Sequence, residues 1–140
     1  MSAIIEYGSP IPLATAKRLV EAAEAEAARN GWVMVIAIVD SGANLVLLHR
    51  MDQAQYGSIE IAQAKARSAL NFRRPTKTFE DGVAQGGIGL RVLNVEGICA
   101  LEGGVPIVVD DRMVGAIGVS GAMSHQDGQV AAAALRVLGH

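Results

Sequence analysis

The sequence is short of the features that would settle its class at once. It has one cysteine, Cys99, so an intrachain disulfide is excluded. Cys99 stands between Ile98 and Ala100 in an apolar stretch and reads as a small buried hydrophobe rather than a reactive thiol. Aromatic residues make up 4% of the chain against 51% hydrophobic residues overall, so the core must be aliphatic and rich in small side chains. Neither sign of charge dominates. The formal net charge is −2, which gives no pull toward nucleic acid or an anionic membrane. Long apolar runs are absent too. The longest, residues 32–39, is far below the roughly 20 residues that a spanning helix needs. The opening segment MSAIIEYGSPIP has no basic region and only a short apolar run, so no secretory leader is expected and a cytoplasmic location is the default. With 140 residues the expectation is one domain over 1–140. A chain of this size buries roughly 70% of the surface it exposes when unfolded, enough for a core without staples.

What is present is strong patterning. Pro10 and Pro12 stiffen the entry to a helix over 13–30, where Ala16, Leu19, Val20, Ala23 and Ala27 recur at helical spacing. Asn30-Gly31 stops it. WVMVIAIV, residues 32–39, is short, continuous and β-branched, as suits a strand covered on both faces. Asp40-Ser41-Gly42 is turn chemistry, and residues 45–50 read as the second arm of a hairpin. Alternation puts Leu45, Leu47 and His49 on one face and Val46, Leu48 and Arg50 on the other.

A second helix is expected over 58–72, with Ile59, Ala62, Ala66, Ala69 and Leu70 on one stripe and Lys65 at its edge. A short helix over 75–84 and an irregular glycine-rich connection over 85–94 follow. Strands are expected near 97–101, 105–109 and 113–119, then a last helix over 124–138 opened by a Ser124–Asp127 capping box. The fold class is therefore α/β of the α+β kind: a central antiparallel sheet of about five strands flanked by helices.

The stretch GGVPIVVDDRMVGAIGVSGAMSHQD, residues 103–127, carries the densest chemistry. It lacks the Gly-Lys-Ser/Thr ending of a phosphate loop. Its GAIGVSG run has the wrong spacing for a dinucleotide fingerprint, and its first glycine falls inside a strand. Ser120 is no nucleophile elbow, because Ala122 stands where the second glycine belongs. The stretch reads as a hairpin feeding a helix, with Ser120 and Gly121 at a helix N-terminus where backbone N–H groups favour an anion.

VDSGANLVLLHRMD, SIEIAQAKARSAL, FRRPT and the 103–127 stretch, in this order, closely resemble the GlcG/HbpS-like family, also called the haem-degrading domain family. The likeness runs from about Leu13 to Leu138. It implies a profilin-like fold and homo-oligomers built from dimers, up to octamers. It implies haem as the cofactor or cargo of some members. Those relatives that ligate iron are expected to use a histidine on or near the first helix. Residues 13–30 hold none; the three histidines are His49, His125 and His140.

The residues themselves leave three readings. One is a haem-type or small-molecule binding protein, with a small-molecule ligand and no nucleic-acid or membrane partner. The second is an enzyme of lyase, isomerase or tautomerase type on a small carboxylate. There Arg50, Lys65 and Arg74 would clamp the carboxylate, His125 or Asp127 would move a proton, and Ser120 and Gly121 would hold an oxyanion. The third is an oligomeric accessory protein with no ligand. No group of residues has metal-ligand spacing; His125-x-Asp127 alone is weak.

Overall fold

The structure is a computed structural model that describes residues 4–139. His140, read above as a loose end, lies outside the described residues. The elements in chain order are β1 (Glu6–Tyr7), α1 (Leu13–Arg29), β2 (Val35–Asp40), β3 (Leu45–Arg50), α2 (Gly57–Phe72), α3 (Thr76–Gln85), a 3-10 helix (Gly87–Asn94), β4 (Gly104–Val109), β5 (Arg112–Ser120), α4 (Ser124–Leu135) and a closing 3-10 turn (Arg136–Leu138).

The expected class is the observed one: a five-stranded sheet flanked by helices. β5 is its axis. It pairs antiparallel with β2 on one side and with β4 on the other, and β3 continues the sheet beyond β2. Both hairpins have a clear local cause. Asp40 Oδ1 accepts the N–H groups of Gly42 and Asn44 at 2.8 and 3.0 Å and closes the first turn. Asp110 and Asp111 both adopt the left-handed conformation (φ 51° and 64°), whose twist matches that of paired strands.

Period-two alternation then sorts the core into two layers. Ile36 and Ile38 of β2 face one way with Ile117 and Val119 of β5. They pack with Leu19, Val20 and Ala23 of α1 and Val130, Ala131 and Ala134 of α4. Val35, Ala37 and Val39 face the other way, under Ala62, Ala66, Ala69 and Leu70 of α2. Helix α2 lies unusually close to the sheet. A Cβ on Gly118 would fall 2.0 Å from the Ala62 carbonyl oxygen, and one on Gly104 would fall 2.3 Å from that of Lys65. Gly104 and Gly118 are register partners across β4 and β5, so two facing glycines form the bare floor on which α2 rests.

Four expectations are corrected. Residues 97–101 are not a strand. Ser68 of α2 takes that segment instead, accepting the Cys99 N–H at 2.9 Å with its Oγ 3.0 Å from the Gly97 carbonyl. The fifth strand is Glu6–Tyr7, and it runs parallel to β5, so the sheet is mixed rather than wholly antiparallel. The connection over 85–94 is mostly a 3-10 helix from Gly87 to Asn94. The α4 cap is shifted by one residue: Met123 is the N-cap, and Gln126 Oε1 accepts its N–H at 3.1 Å. Asp127 is thereby released for another partner. Among the described residues no helix is long and apolar enough to cross a membrane.

Candidate functional site

The residues singled out from the sequence fall into three places. The first is buried. Lys65 sits on the sheet-facing side of α2, not at its edge, and is 1% exposed. Its Nζ donates to the Val119 carbonyl and to Asp127 Oδ2, both at 2.9 Å. Val119 N–H is bonded to the Gly103 carbonyl, but its own carbonyl lies where β4 has not yet begun, and the ammonium takes the vacant ladder position. Asp127, 3% exposed, accepts the Ala122 N–H through Oδ1 at 3.0 Å, and the Gly121 N–H also favours its ionised form. Burial pushes the Asp127 carboxyl above its ordinary range, while Lys65 and these N–H groups pull it back. The helix N-terminus that the sequence marks as an anion site therefore holds the protein's own carboxylate. Ser120 is buried beside it, with its Oγ donating to Ser58 Oγ at 3.0 Å.

The structure thus brings Lys65, Asp127, Ser120 and Gly121 together, but Lys65 and Asp127 engage each other. His125 is exposed on the first turn of α4 and makes no side-chain hydrogen bond to Asp127 or to any other described residue. Its charge partner is Glu102, whose ionised form it favours.

The second place is the C-terminal end of β3. The register pairs His49 with Ile36 and Arg50 with Val35, so the two side chains leave opposite faces of the edge strand. His49 Nδ1 is held by Glu24 Oε1 of α1. A cleft of about 650 Å³ opens here, with Glu24, Val33, His49, Arg50 and Met51 among its lining residues. It adjoins a second cleft of about 480 Å³, lined by Arg50, Asp52 and Tyr56 among others. Arg50 and Asp52 belong to both. The Arg50 guanidinium lies 5.2 Å from the Tyr56 ring centroid, and Nη1 donates weakly to the Ala54 carbonyl at 3.4 Å. It has no carboxylate partner among the described residues, so its fork is open to a ligand.

The third place holds Arg74. It lines a separate cleft of about 500 Å³ between α3 and the 3-10 helix, together with Phe79, Arg91 and Val92. The expected trio Arg50, Lys65 and Arg74 is therefore divided among two clefts and the core. Sequence reasoning passed over Glu24 and Met51. Glu24 would have required the α1–β3 contact, which no local pattern encodes. Among the described residues no group of three or more histidine, cysteine or acidic side chains could hold a bare metal ion.

A mixed sheet flanked by helices, with open clefts of small-molecule size at its surface, defines an α+β fold with room for a small ligand. The chain belongs to the HbpS-like family: the family model described as haem degrading protein HbpS-like matches residues 11–136. Protein GlcG of Escherichia coli K12 is 42% identical over 105 residues, which span 75% of this chain and 77% of that one. The crystal structure of Klebsiella pneumoniae protein ORFY, a DUF336 protein, superposes with a TM-score of 0.86 at 31% identity, covering 99% of this chain and 97% of that one. The heme complex of PduOC superposes with a TM-score of 0.81 at 26% identity, covering 91% and 94%.

Proposed function

We propose that this protein binds a haem-type tetrapyrrole, or a small anionic molecule of similar chemistry, in the cleft at the end of β3. The observation that carries the reading is the Glu24–His49 pair on the wall of that cleft, beside Arg50 and Met51. Imidazole nitrogen and thioether sulfur are the common axial ligands of haem iron. A carboxylate on one ring nitrogen fixes the tautomer and leaves the other nitrogen bare, as at most protein-held metals. With Nδ1–H donated to Glu24, a neutral His49 carries its free lone pair on Nε2. Arg50 supplies the planar donor fork that a propionate carboxylate needs. Val33 and Leu48 give the cleft its apolar wall. The residues present fit the group, and bound haem would add its iron chemistry to a site where this chain supplies ligation, charge and shape. Family membership and the heme complex of a similar fold support the same reading.

The enzyme reading has less support. Its proton carrier and its clamp must be free to meet substrate, whereas Lys65 and Asp127 neutralise one another in the core and His125 stands apart. The homo-oligomer that the family resemblance implies belongs to the same proposal. Its support is the apolar 3-10 helix, where Ile88 and Leu93 are 77% and 65% exposed.

The test is a hemin titration followed across the Soret band. Saturable binding with a shifted Soret maximum, lost in His49→Ala and kept in His125→Ala, is expected. A spectrum identical to that of free hemin would overturn the reading.

A further inference from the structure

The Arg74 cleft does not belong to the site at the end of β3, and it shares no lining residue with it. Its two walls are locked by a direct glycine contact: a Cβ on Gly89 of the 3-10 helix would fall 2.0 Å from the Gly82 carbonyl oxygen of α3. Between them lie apolar groups, Phe79 and Val92. Phe79 is 8% exposed and is braced edge-on by Phe72, with ring centroids 5.9 Å apart.

One guanidinium stands over this apolar ground, and a second arginine, Arg91, lines the same cleft. The Arg74 Nε donates to the Phe72 carbonyl at 2.8 Å and its Cζ lies 5.9 Å from the Phe79 ring centroid, which leaves the outer edge of the fork unused. Arg91 makes no side-chain hydrogen bond or ion pair among the described residues. The acids of α3 are engaged elsewhere. Asp81 pairs with Lys77, and Glu80 Oε1 accepts the Glu102 N–H. The cleft therefore combines two uncompensated cations with an aromatic and aliphatic wall. That pairing has a complement: a molecule with an apolar body and one carboxylate.

We propose that the cleft between α3 and the 3-10 helix is a second binding site, for an organic acid with a flat or branched apolar body. Arg74 and Arg91 take the carboxylate, and Phe79 and Val92 take the body. The site is independent of haem-type binding at β3, so either can fail without the other.

The probe is naphthalene-2-carboxylate, with the neutral naphthalene-2-carboxamide as its control, titrated into the whole protein by calorimetry. Saturable binding of the acid is expected, with the amide at least tenfold weaker. Arg74→Gln and Arg91→Gln should each weaken the acid roughly ten- to hundredfold, as losing a charge-assisted hydrogen bond does. Both side chains are exposed, so unchanged melting temperatures should accompany that loss. Arg50→Gln should leave the acid's affinity unchanged. Absence of saturable binding, equal binding of acid and amide, or sensitivity to Arg50 instead of Arg74 and Arg91 would each overturn the proposal.

Discussion

Lys65 Nζ and Asp127 Oδ2 meet at 2.9 Å in the core, joining α2 on one face of the sheet to α4 on the other. The pair crosses at the start of β4, next to Gly103, where a Cβ would stand 2.9 Å from the ammonium. It is a mutual obligation rather than a free stabiliser. Burying both charges costs several kcal/mol each, and the attraction between them offsets that only while both are present.

Removing one partner should therefore be worse than removing both. Lys65→Met leaves a buried carboxylate and should cost about 3–5 kcal/mol. Asp127→Asn strands the ammonium and should cost a similar amount. The double variant leaves no unpaired charge, and its asparagine oxygen still accepts the Ala122 N–H. It should be more stable than either single variant in urea unfolding. Additive losses would show that the two side chains act separately.

The floor under α2 makes a second prediction. Gly118→Ala places a methyl 2.0 Å from the Ala62 carbonyl oxygen, and backbone cannot swing aside as a side chain can. Helix α2 must lift, at a cost of about 1–3 kcal/mol. Thermal unfolding reads the loss. Gly57→Ala, where nothing lies within 4 Å, is the control and should be close to neutral.

These two features mark the limit of what the chain discloses locally. Helices α1 and α2 and both hairpins were legible because periodicity and turn residues act within a few positions. The family was legible from its motifs. Residues 97–101 misled because their apolar composition suits a strand, while the deciding contact is a hydroxyl from Ser68, about thirty positions earlier. The two-residue β1 has too few positions to show alternation. Lys65 read as a residue at the edge of the stripe, with its ammonium bound for a sheet edge or for water, because a long lysine stem normally carries its charge outward. Only the tertiary arrangement reveals Asp127 waiting in the core. The same holds for the clefts: Arg50 and Arg74 read as one clamp in the sequence and line different clefts in the fold.

Glu102 provides a pH prediction. Burial raises its carboxyl above the ordinary value, and the nearby Glu80 and Asp81 carboxylates raise it further against the pull of Lys77 and His125. A folded-state acid that holds its proton more tightly than the unfolded one loses stability as pH rises from the unfolded pKa through the folded one. Glu102→Gln removes that loss. Relative to the parent, the variant should gain stability as pH climbs from 4.5 toward neutrality. Urea midpoints measured across that interval check the sign. A gain on going more acidic would refute it.

The exposed 3-10 helix gives a prediction about assembly. Ile88, Leu90 and Leu93 are 77%, 45% and 65% exposed, more apolar surface than one short segment normally leaves in water. Light scattering on the eluting protein should give a mass above one chain, and Leu93→Glu should lower it. A monomer at all concentrations would remove this segment as an interface.

The role of Glu24 separates ligation from mere proximity. If His49 holds iron through Nε2, then Glu24 acts only by fixing the ring, and the two variants must differ in kind. His49→Ala should abolish the shifted Soret band. Glu24→Gln should keep the band, since Nε2 is still there, but weaken hemin binding about 10–100-fold, as loss of a carboxylate behind a metal-bound histidine does. Glu24 is partly exposed at the α1–β3 contact and outside the buried core, so the fold should tolerate the change. Arg50→Gln should weaken binding while leaving the band position alone, because it would contact the propionate and not the iron. A Soret maximum that moves with Arg50 and ignores His49 would place the iron elsewhere.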